Sequence, residues 1–256
     1  MARHLVIVTG ASRGLGFAMA AQLLSRPGHL VVGLSRHPSS VLEAQPCGEG
    51  SRLEQWPVDL VQAPAAAQRL SAWLGERDPQ EFDGACLINN AALLAPPAPV
   101  DEGDPRDASE ALRVGLEAPV LLCAAFLRAT REWRAREAQG CKVLNISSGL
   151  GRRALTGSST YCAVKAGLDH FTRAVALDEA QRPHGAKLVS LAPGVIDTDM
   201  QAQLRSASPE GFPDQPVFQN LKAGGQLSSP EDAAKRVLAW LERPDFGANP
   251  VADVRD

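Results

Sequence analysis

The most constraining feature of this chain lies near its N-terminus. The run Leu5–Thr9 is apolar or β-branched and reads as a buried strand. It passes directly into Gly10-Ala11-Ser12-Arg13-Gly14-Leu15-Gly16, and Phe17–Ser25 then has a helical pattern. A strand, a glycine-rich turn and a helix N-terminus form an anion site, because backbone N–H groups and the positive end of the helix dipole face the same point. Gly10 would permit the tight turn, Gly14 would let the backbone approach a pyrophosphate, and Gly16 would let helix and strand pack closely. Three glycines alone also suit a turn with no ligand. Here the strand before and the helix after supply the context the motif requires, so a dinucleotide is expected on the loop Gly10, Ser12, Arg13, Gly14, Leu15, Gly16.

The pattern repeats along the chain. Further strands are expected at Leu30–Leu34, Leu53–Val58, Ala85–Asn89, Lys142–Ile146 and Lys187–Leu191. Helical patterns fill the gaps at Pro64–Glu76, Ala108–Ala138, Thr160–Gln181 and Pro230–Glu242. Val-, Ile- and Leu-rich strands separated by helix-length segments imply βαβ units. The expected fold is α/β: a single Rossmann-type, doubly wound parallel sheet with helices on both faces, spanning residues 1–256. Pro96–Pro105 and Ser206–Gly225 read as long surface loops, and residues 199–227 are expected to act as a substrate lid, since long loops in compact domains are usually functional.

Charge and cysteine usage narrow the partners. The formal net charge is −3, without a long Lys/Arg run, so neither nucleic acid nor an anionic membrane is an expected partner. The five cysteines are scattered, with no CxxC pair. Neither a disulfide framework nor a metal site is suggested, and reduced thiols in a cytoplasmic protein are the simplest reading. Apolar runs fall short of a membrane span, and Leu5–Val8 is too short for a signal-peptide core.

In NAD-binding units an acidic residue about 20 residues beyond the glycines bonds the ribose 2′-hydroxyl. Here the chain reads Leu34-Ser35-Arg36-His37, with no carboxylate. Arg13 and Arg36 would instead suit a 2′-phosphate, whose oxygens match a guanidinium fork; a solvated surface charge is the other reading of Arg36. NADP(H) is therefore expected rather than NAD(H).

Tyr161 and Lys165 stand four residues apart at the start of a helical segment and so share a face. A nearby ammonium favours phenolate and is expected to lower the tyrosine pKa toward a range useful for proton transfer. Tyr161 is the only tyrosine in the chain. Ser148 follows the strand Lys142–Ile146, and the carboxyl ends of parallel strands line the ligand crevice. Turn chemistry would also explain a serine there.

Taken with the glycine loop, these residues resemble the short-chain dehydrogenase/reductases. That family's TGxxxGxG is matched by Gly10, Gly14 and Gly16, and its strand-end Asp by Asp59, followed by Leu60. Its NNAG appears as Asn89-Asn90-Ala91-Ala92, its Ser, Tyr and Lys as Ser148, Tyr161 and Lys165, and its PGxxxT as Pro193-Gly194-Val195-Ile196-Asp197-Thr198. The resemblance implies a hydride passed between a nicotinamide and a carbonyl carbon. Tyr161 would give the proton, Ser148 would polarise the carbonyl oxygen, and Lys165 would hold the ribose. Asp59 and Leu60 are expected near the adenine, and Asn90, Ala91, Pro193, Gly194, Val195, Ile196 and Thr198 along the rest of the cofactor. A homodimer or homotetramer is likewise implied.

Two positions depart from the family. Ala92 replaces a glycine. Gly115 stands where the family has an Asn thought to hold a helix kink; glycine tolerates unusual backbone angles, so the kink is expected to persist. The C-terminal third resembles sepiapterin and benzil-type reductases. In the former an Asp anchors the pterin, and Asp253 falls at the matching place, although a solvated tail carboxylate would look the same. A ketone, a diketone or a pterin side-chain ketone is the implied substrate, with Leu93, Leu94, Leu150 and Leu155 as candidate pocket walls or simply core. A catalytically idle NADP-binding sensor or scaffold is the alternative, suggested by Gly115 alone.

Overall fold

The computed structural model of the chain describes residues 3–133 and 140–256. Seven strands form one sheet: β1 His4–Thr9, β2 His29–Ser35, β3 Arg52–Pro57, β4 Gly84–Asn89, β5 Cys141–Ile146, β6 Lys187–Ala192 and β7 Val251–Asp253. Their order is β3-β2-β1-β4-β5-β6-β7, and each neighbouring pair is parallel. The α-helices are α1 Gly14–Leu24, α2 Ser40–Glu43, α3 Ala63–Gly75, α4 Pro105–Leu112, α5 Ala118–Ala129, α6 Ser159–Ala180, α7 Asp199–Ser206, α8 Gln215–Ala223 and α9 Pro230–Leu241.

The strand sequences explain why both faces are covered. Successive side chains point to opposite faces of a sheet. In β1, Leu5 and Ile7 enter a core shared with α3 and α5, whereas Val6 and Val8 enter one shared with α1 and α9. Both sets are almost fully buried. An all-parallel sheet buried on both faces needs continuous apolar strands, which is what β1, β2, β4, β5 and β6 supply. The doubly wound sheet expected from the sequence is therefore present.

The order reverses between β1 and β4, and a crevice opens beyond the carboxyl ends of the strands at such a switch point. The glycine loop, Asp59, Asn90, Ser148 and Pro193–Thr198 follow the carboxyl ends of β1, β3, β4, β5 and β6.

Several elements differ from what was expected. The single helix expected over Ala108–Ala138 is interrupted: a π-helical turn, Arg113–Glu117, separates α4 from α5, and α5 ends at Ala129. Residues 134–138 of that expectation lie outside the described residues. The stretch Ser206–Gly225 is not simply a loop, because it contains α8, whose Phe218 packs with Phe212 and Leu204. Helices α2 and α7 and strand β7 were not foreseen; α2 and β7 are very short. β7 also removes Asp253 from a solvated tail and places it, buried, at the edge of the sheet.

Candidate active site

The crevice is a cavity of about 930 Å³ lined by the ends of β1, β2, β4, β5 and β6, by the start of α6 and by α7 and α8. It gathers Gly10, Ser12, Arg13, Gly14, Leu15, Arg36, Asp59, Leu60, Asn90, Ala91, Ser148, Tyr161, Lys165, Pro193, Gly194, Val195, Ile196, Thr198 and Asp253. Of the residues expected at the site, only Gly16 does not line it. Its place is structural: a Cβ on Gly16 would lie 2.2 Å from the Gly10 carbonyl oxygen and 2.5 Å from Asn90 Nδ2. Gly16 thus allows α1 to press against the loop.

The loop itself is shaped for an anion. Gly10 and Gly14 have φ of +69° and +56°, in the left-handed region that disfavours side chains. Arg13 at the N-cap of α1 makes no side-chain cap bond, so no capping side chain occupies the first-turn amides. Asn90 fixes the loop from behind: its Nδ2 donates to the Thr9 carbonyl at 2.9 Å, and Thr9 Oγ1 accepts from the amides of Asn90 and Ala91 at 2.9 and 3.0 Å. These features fit a bound pyrophosphate. Asp59 caps the turn Leu60–Gln62 by accepting from the Val61 amide at 3.0 Å, and it lines the cleft.

The two arginines differ. Arg36 has no ion pair among the described residues, whereas Arg13 Nη1 bonds Asp199 Oδ2 at 2.8 Å. Of the pair expected at a 2′-phosphate, Arg36 is the one with its guanidinium unengaged. Asp199 opens the segment 199–227. Its base is closed by Ile196 and Ser228: the Ser228 amide donates to the Val195 carbonyl at 3.0 Å, and the Asp197 amide donates to that of Ser228 at 2.9 Å.

At the centre of the cleft, β5 delivers Ser148 and the first turns of α6 deliver Tyr161 and Lys165. Ser148 Oγ accepts from the Leu150 amide at 3.2 Å and lines the same cleft as the Tyr161 phenol. Lys165 is buried; its Nζ donates to the Ile146 carbonyl at 2.7 Å and lies 5.5 Å from the Tyr161 ring centre. The expected lowering of the tyrosine pKa is not found. Tyr161 keeps part of its surface open to the cleft, yet burial on its other sides pushes the phenol up to about 12, and Ser148 only partly opposes this. Burial pulls Lys165 down to about 8, with Asp169 opposing. The ammonium engages a carbonyl rather than the phenol oxygen, so desolvation decides both groups.

Gly115 sits inside the π-turn, where the family kink was expected. A Cβ there would lie 2.6 Å from Val164 Cγ1. An Asn introduced at 115 would therefore collide with Val164, and a loss of activity in that variant would report a clash rather than a misplaced helix.

Beyond Tyr161 the walls are mostly apolar. Leu93, Leu94, Leu150 and Leu155 all line the cleft, together with Met200, Leu204, Val217, Phe218 and Leu221. Leu94 and Leu155 also pack on the Leu204–Phe212–Phe218 cluster. Asp253 accepts from Arg255 Nε and Nη2 at 2.7 and 2.6 Å, one bond to each carboxylate oxygen. Sequence reasoning missed Arg153, Arg255 and Asp169. For Asp169 a signal existed, since it lies four residues after Lys165 on the same helix face.

Comparison with known proteins agrees with this geometry. Residues 4–209 match the family model for short chain dehydrogenases. The chain belongs to that family. Among characterised relatives it is 34% identical over 241 residues to the benzil reductase ((S)-benzoin forming) of Bacillus cereus, covering 94% of this chain and 95% of that one. It is 29% identical to the sepiapterin reductase of Bos taurus, covering 100% and 96%. Among solved structures, the KRED1-Pglu enzyme superposes with a TM-score of 0.78 at 26% identity, covering 97% of this chain and 99% of that one. This short-chain dehydrogenase therefore carries the oxidoreductase fold and motifs along nearly its whole length, and the two relatives named are reductases.

Proposed function

We propose that the chain is an NADPH-dependent carbonyl reductase in which Tyr161 donates the proton, acting on vicinal diketones flanked by bulky apolar groups. The observation that carries this reading is the convergence of Ser148, Tyr161 and Lys165 at the middle of one cleft, between a phosphate cradle and an apolar wall. Arg36 would take the 2′-phosphate, the Gly10–Gly16 loop the pyrophosphate, and Lys165, Pro193–Ile196 and Thr198 the nicotinamide end. When bound, the nicotinamide supplies the hydride to the carbonyl carbon.

The chain's own groups do the rest. The Ser148 and Tyr161 hydroxyls line the same cleft, where a carbonyl oxygen would accept two bonds and be polarised. Tyr161 gives its proton to that oxygen as negative charge builds. A phenol pushed up to about 12 remains protonated throughout the neutral range, which suits an acid working in the direction of reduction. Lys165, as a cation, stabilises the phenolate left behind. The apolar residues of α7 and α8 exclude water, and residues 199–227 act as the lid.

Between a diketone and a pterin, Asp253 favours the former. Both its oxygens are engaged by Arg255, so the carboxylate is committed within the chain. The similarity to benzil reductase points the same way. Pairing into a dimer or tetramer through α5 and α6 belongs to the same reading.

The test is NADPH consumption with benzil. Tyr161→Phe is expected to lower kcat by about 10²–10⁴. Arg36→Ala is expected to weaken NADPH by about tenfold or more while leaving NADH unchanged, since bonds to a charged group contribute ~1.5–3 kcal/mol. Undiminished turnover in Tyr161→Phe would refute the mechanism. Equal efficiency with NADH in the parent would refute the cofactor assignment. Failure to consume NADPH with diketones, quinones and sepiapterin alike would leave a cofactor-binding scaffold.

A further inference from the structure

Asp169 has no role in the reaction above, yet it is the most enclosed carboxylate beside it. Its side chain is only 2% exposed. Oδ1 accepts from Ser147 Oγ at 2.5 Å and from Ser190 Oγ at 2.7 Å. Oδ2 has no hydrogen-bond partner. The Arg152 Nε lies 3.5 Å from it, and Arg152 Nη2 is in turn tied to the Ala252 carbonyl at 2.8 Å. The backbone of the intervening turn closes over the group: a Cβ on Gly151 would stand 2.7 Å from Oδ2 and 3.0 Å from the Lys165 carbonyl oxygen. The carboxylate is therefore a junction of β5, the turn Gly149–Gly151, α6, β6 and, through Arg152, β7.

A buried anion is costly unless a cation faces it. Two face this one. Arg152 approaches from the turn, and Lys165 lies one helical turn back on α6. Tyr161 is the other titratable group near the lysine, and Asp253 on β7 faces Arg152 rather than Lys165. The lysine itself has only the Ile146 carbonyl as a hydrogen-bond partner among the described residues.

We infer that Asp169 is a positioning residue for this site: through Ser147 it fixes the strand end that carries Ser148, and from one helical turn along α6 it sets a buried negative charge, paired with Arg152, beside Lys165. This rests on the reductase reading for its catalytic meaning. Its electrostatic half does not, because it concerns two side chains of the chain itself. Burial of Lys165 works against its charge, and Asp169 is the anion that opposes this.

The experiment follows the Cε resonance of Lys165, one of five lysines, in ¹³C-lysine-labelled protein without cofactor, assigned by its loss in Lys165→Arg. Asp169→Asn is expected to move the Lys165 titration midpoint to lower pH. Arg152→Gln, at a side chain 35% exposed and so not dependent on a rebuilt core, is expected to move it to higher pH by removing the cation that offsets the Asp169 charge. An unmoved midpoint in either variant overturns the electrostatic half. Ser147→Ala is expected to leave the midpoint in place and to lower kcat for benzil by about tenfold, the loss of one charge-assisted bond; unchanged kcat overturns the geometric half. If the parent reduces nothing while the midpoints shift as stated, the reductase reading fails and the Asp169–Lys165 coupling stands.

Discussion

Gly115 and Val164 are a size-matched pair, and their coupling can be worked out from the structure. The Cβ added by Gly115→Ala would lie 2.6 Å from Val164 Cγ1 and 3.7 Å from its Cβ and Cγ2. Carbon atoms in contact prefer about 3.5–4.0 Å, so one methyl overlaps by about 1 Å. Val164 is 1% exposed, and a helical valine has one strongly preferred χ1, so it cannot turn aside cheaply. Overpacking of this kind costs about 1–3 kcal/mol. Replacing a helical glycine by alanine returns ~0.5–1 kcal/mol. The single variant is thus expected to lose about 0.5–2 kcal/mol, a fall of roughly 2–4 °C in Tm for each kcal/mol at this chain length. Val164→Ala alone removes two buried methyls at ~0.8 kcal/mol each, plus a cavity term, or about 2–3 kcal/mol. In Gly115→Ala/Val164→Ala the new methyl enters the space vacated. The double variant is expected to be no less stable than Val164→Ala, giving a compensating coupling of about 1–2 kcal/mol in a double-mutant cycle from urea melts. Additivity within ~0.5 kcal/mol would refute the steric pairing, and with it the account of why glycine is tolerated in the π-turn.

Lys165 also makes stability depend on pH. Its pKa in the fold is about 8 against an ordinary lysine value of 10.5, so between those values the unfolded chain binds the proton that the folded chain has lost. Stability from this group therefore rises as pH climbs from about 8 to 10.5, by ~3 kcal/mol at most. The Tyr161 phenol, up at about 12 from 10, acts oppositely and lowers stability only above pH 10. Urea melts between pH 7.5 and 9.5 should show the rise in the parent and not in Lys165→Met; the same rise in both would refute the assignment. At Asp253, Asn should leave benzil kcat/KM within about fivefold, because a half-exposed ion pair contributes ~0–1 kcal/mol. A larger loss confined to the diketone would mean that this carboxylate touches the substrate.

How much of this was legible in the sequence depends on whether a residue acts through local pattern or through distant packing. The six longer strands and the glycine loop were readable because a parallel sheet buried on both faces forces apolar continuity, and an anion site forces glycine where φ is positive. Tyr161 and Lys165 were readable because helical spacing alone puts them on one face. Strand β7 was not. Three residues carry no periodicity, and Val251–Asp253 is placed by contacts distant in sequence, pairing with β6 about 60 residues earlier and receiving the Arg152 bond. At Gly115 a kink was expected from the family resemblance, but not its π-helical form, because no local pattern around Gly115 specifies an i→i+5 turn.

The pKa values show the same division in the chemistry. Four-residue spacing correctly placed an ammonium near a phenol, but it could not say that the Ile146 carbonyl would claim the ammonium or that desolvation would outweigh the charge. Spacing fixes which groups meet, whereas the sign of a shift depends on everything else that meets them. At this site burial decides both shifts, with Asp169 opposing it at Lys165 and Ser148 opposing it at Tyr161. A tyrosine that stays protonated beside a lysine that holds its charge only marginally makes the lysine, rather than the tyrosine, the group through which pH would govern reduction near neutrality. On the proposed mechanism, the anion beside the lysine would therefore bear on the working pH range as much as the proton donor.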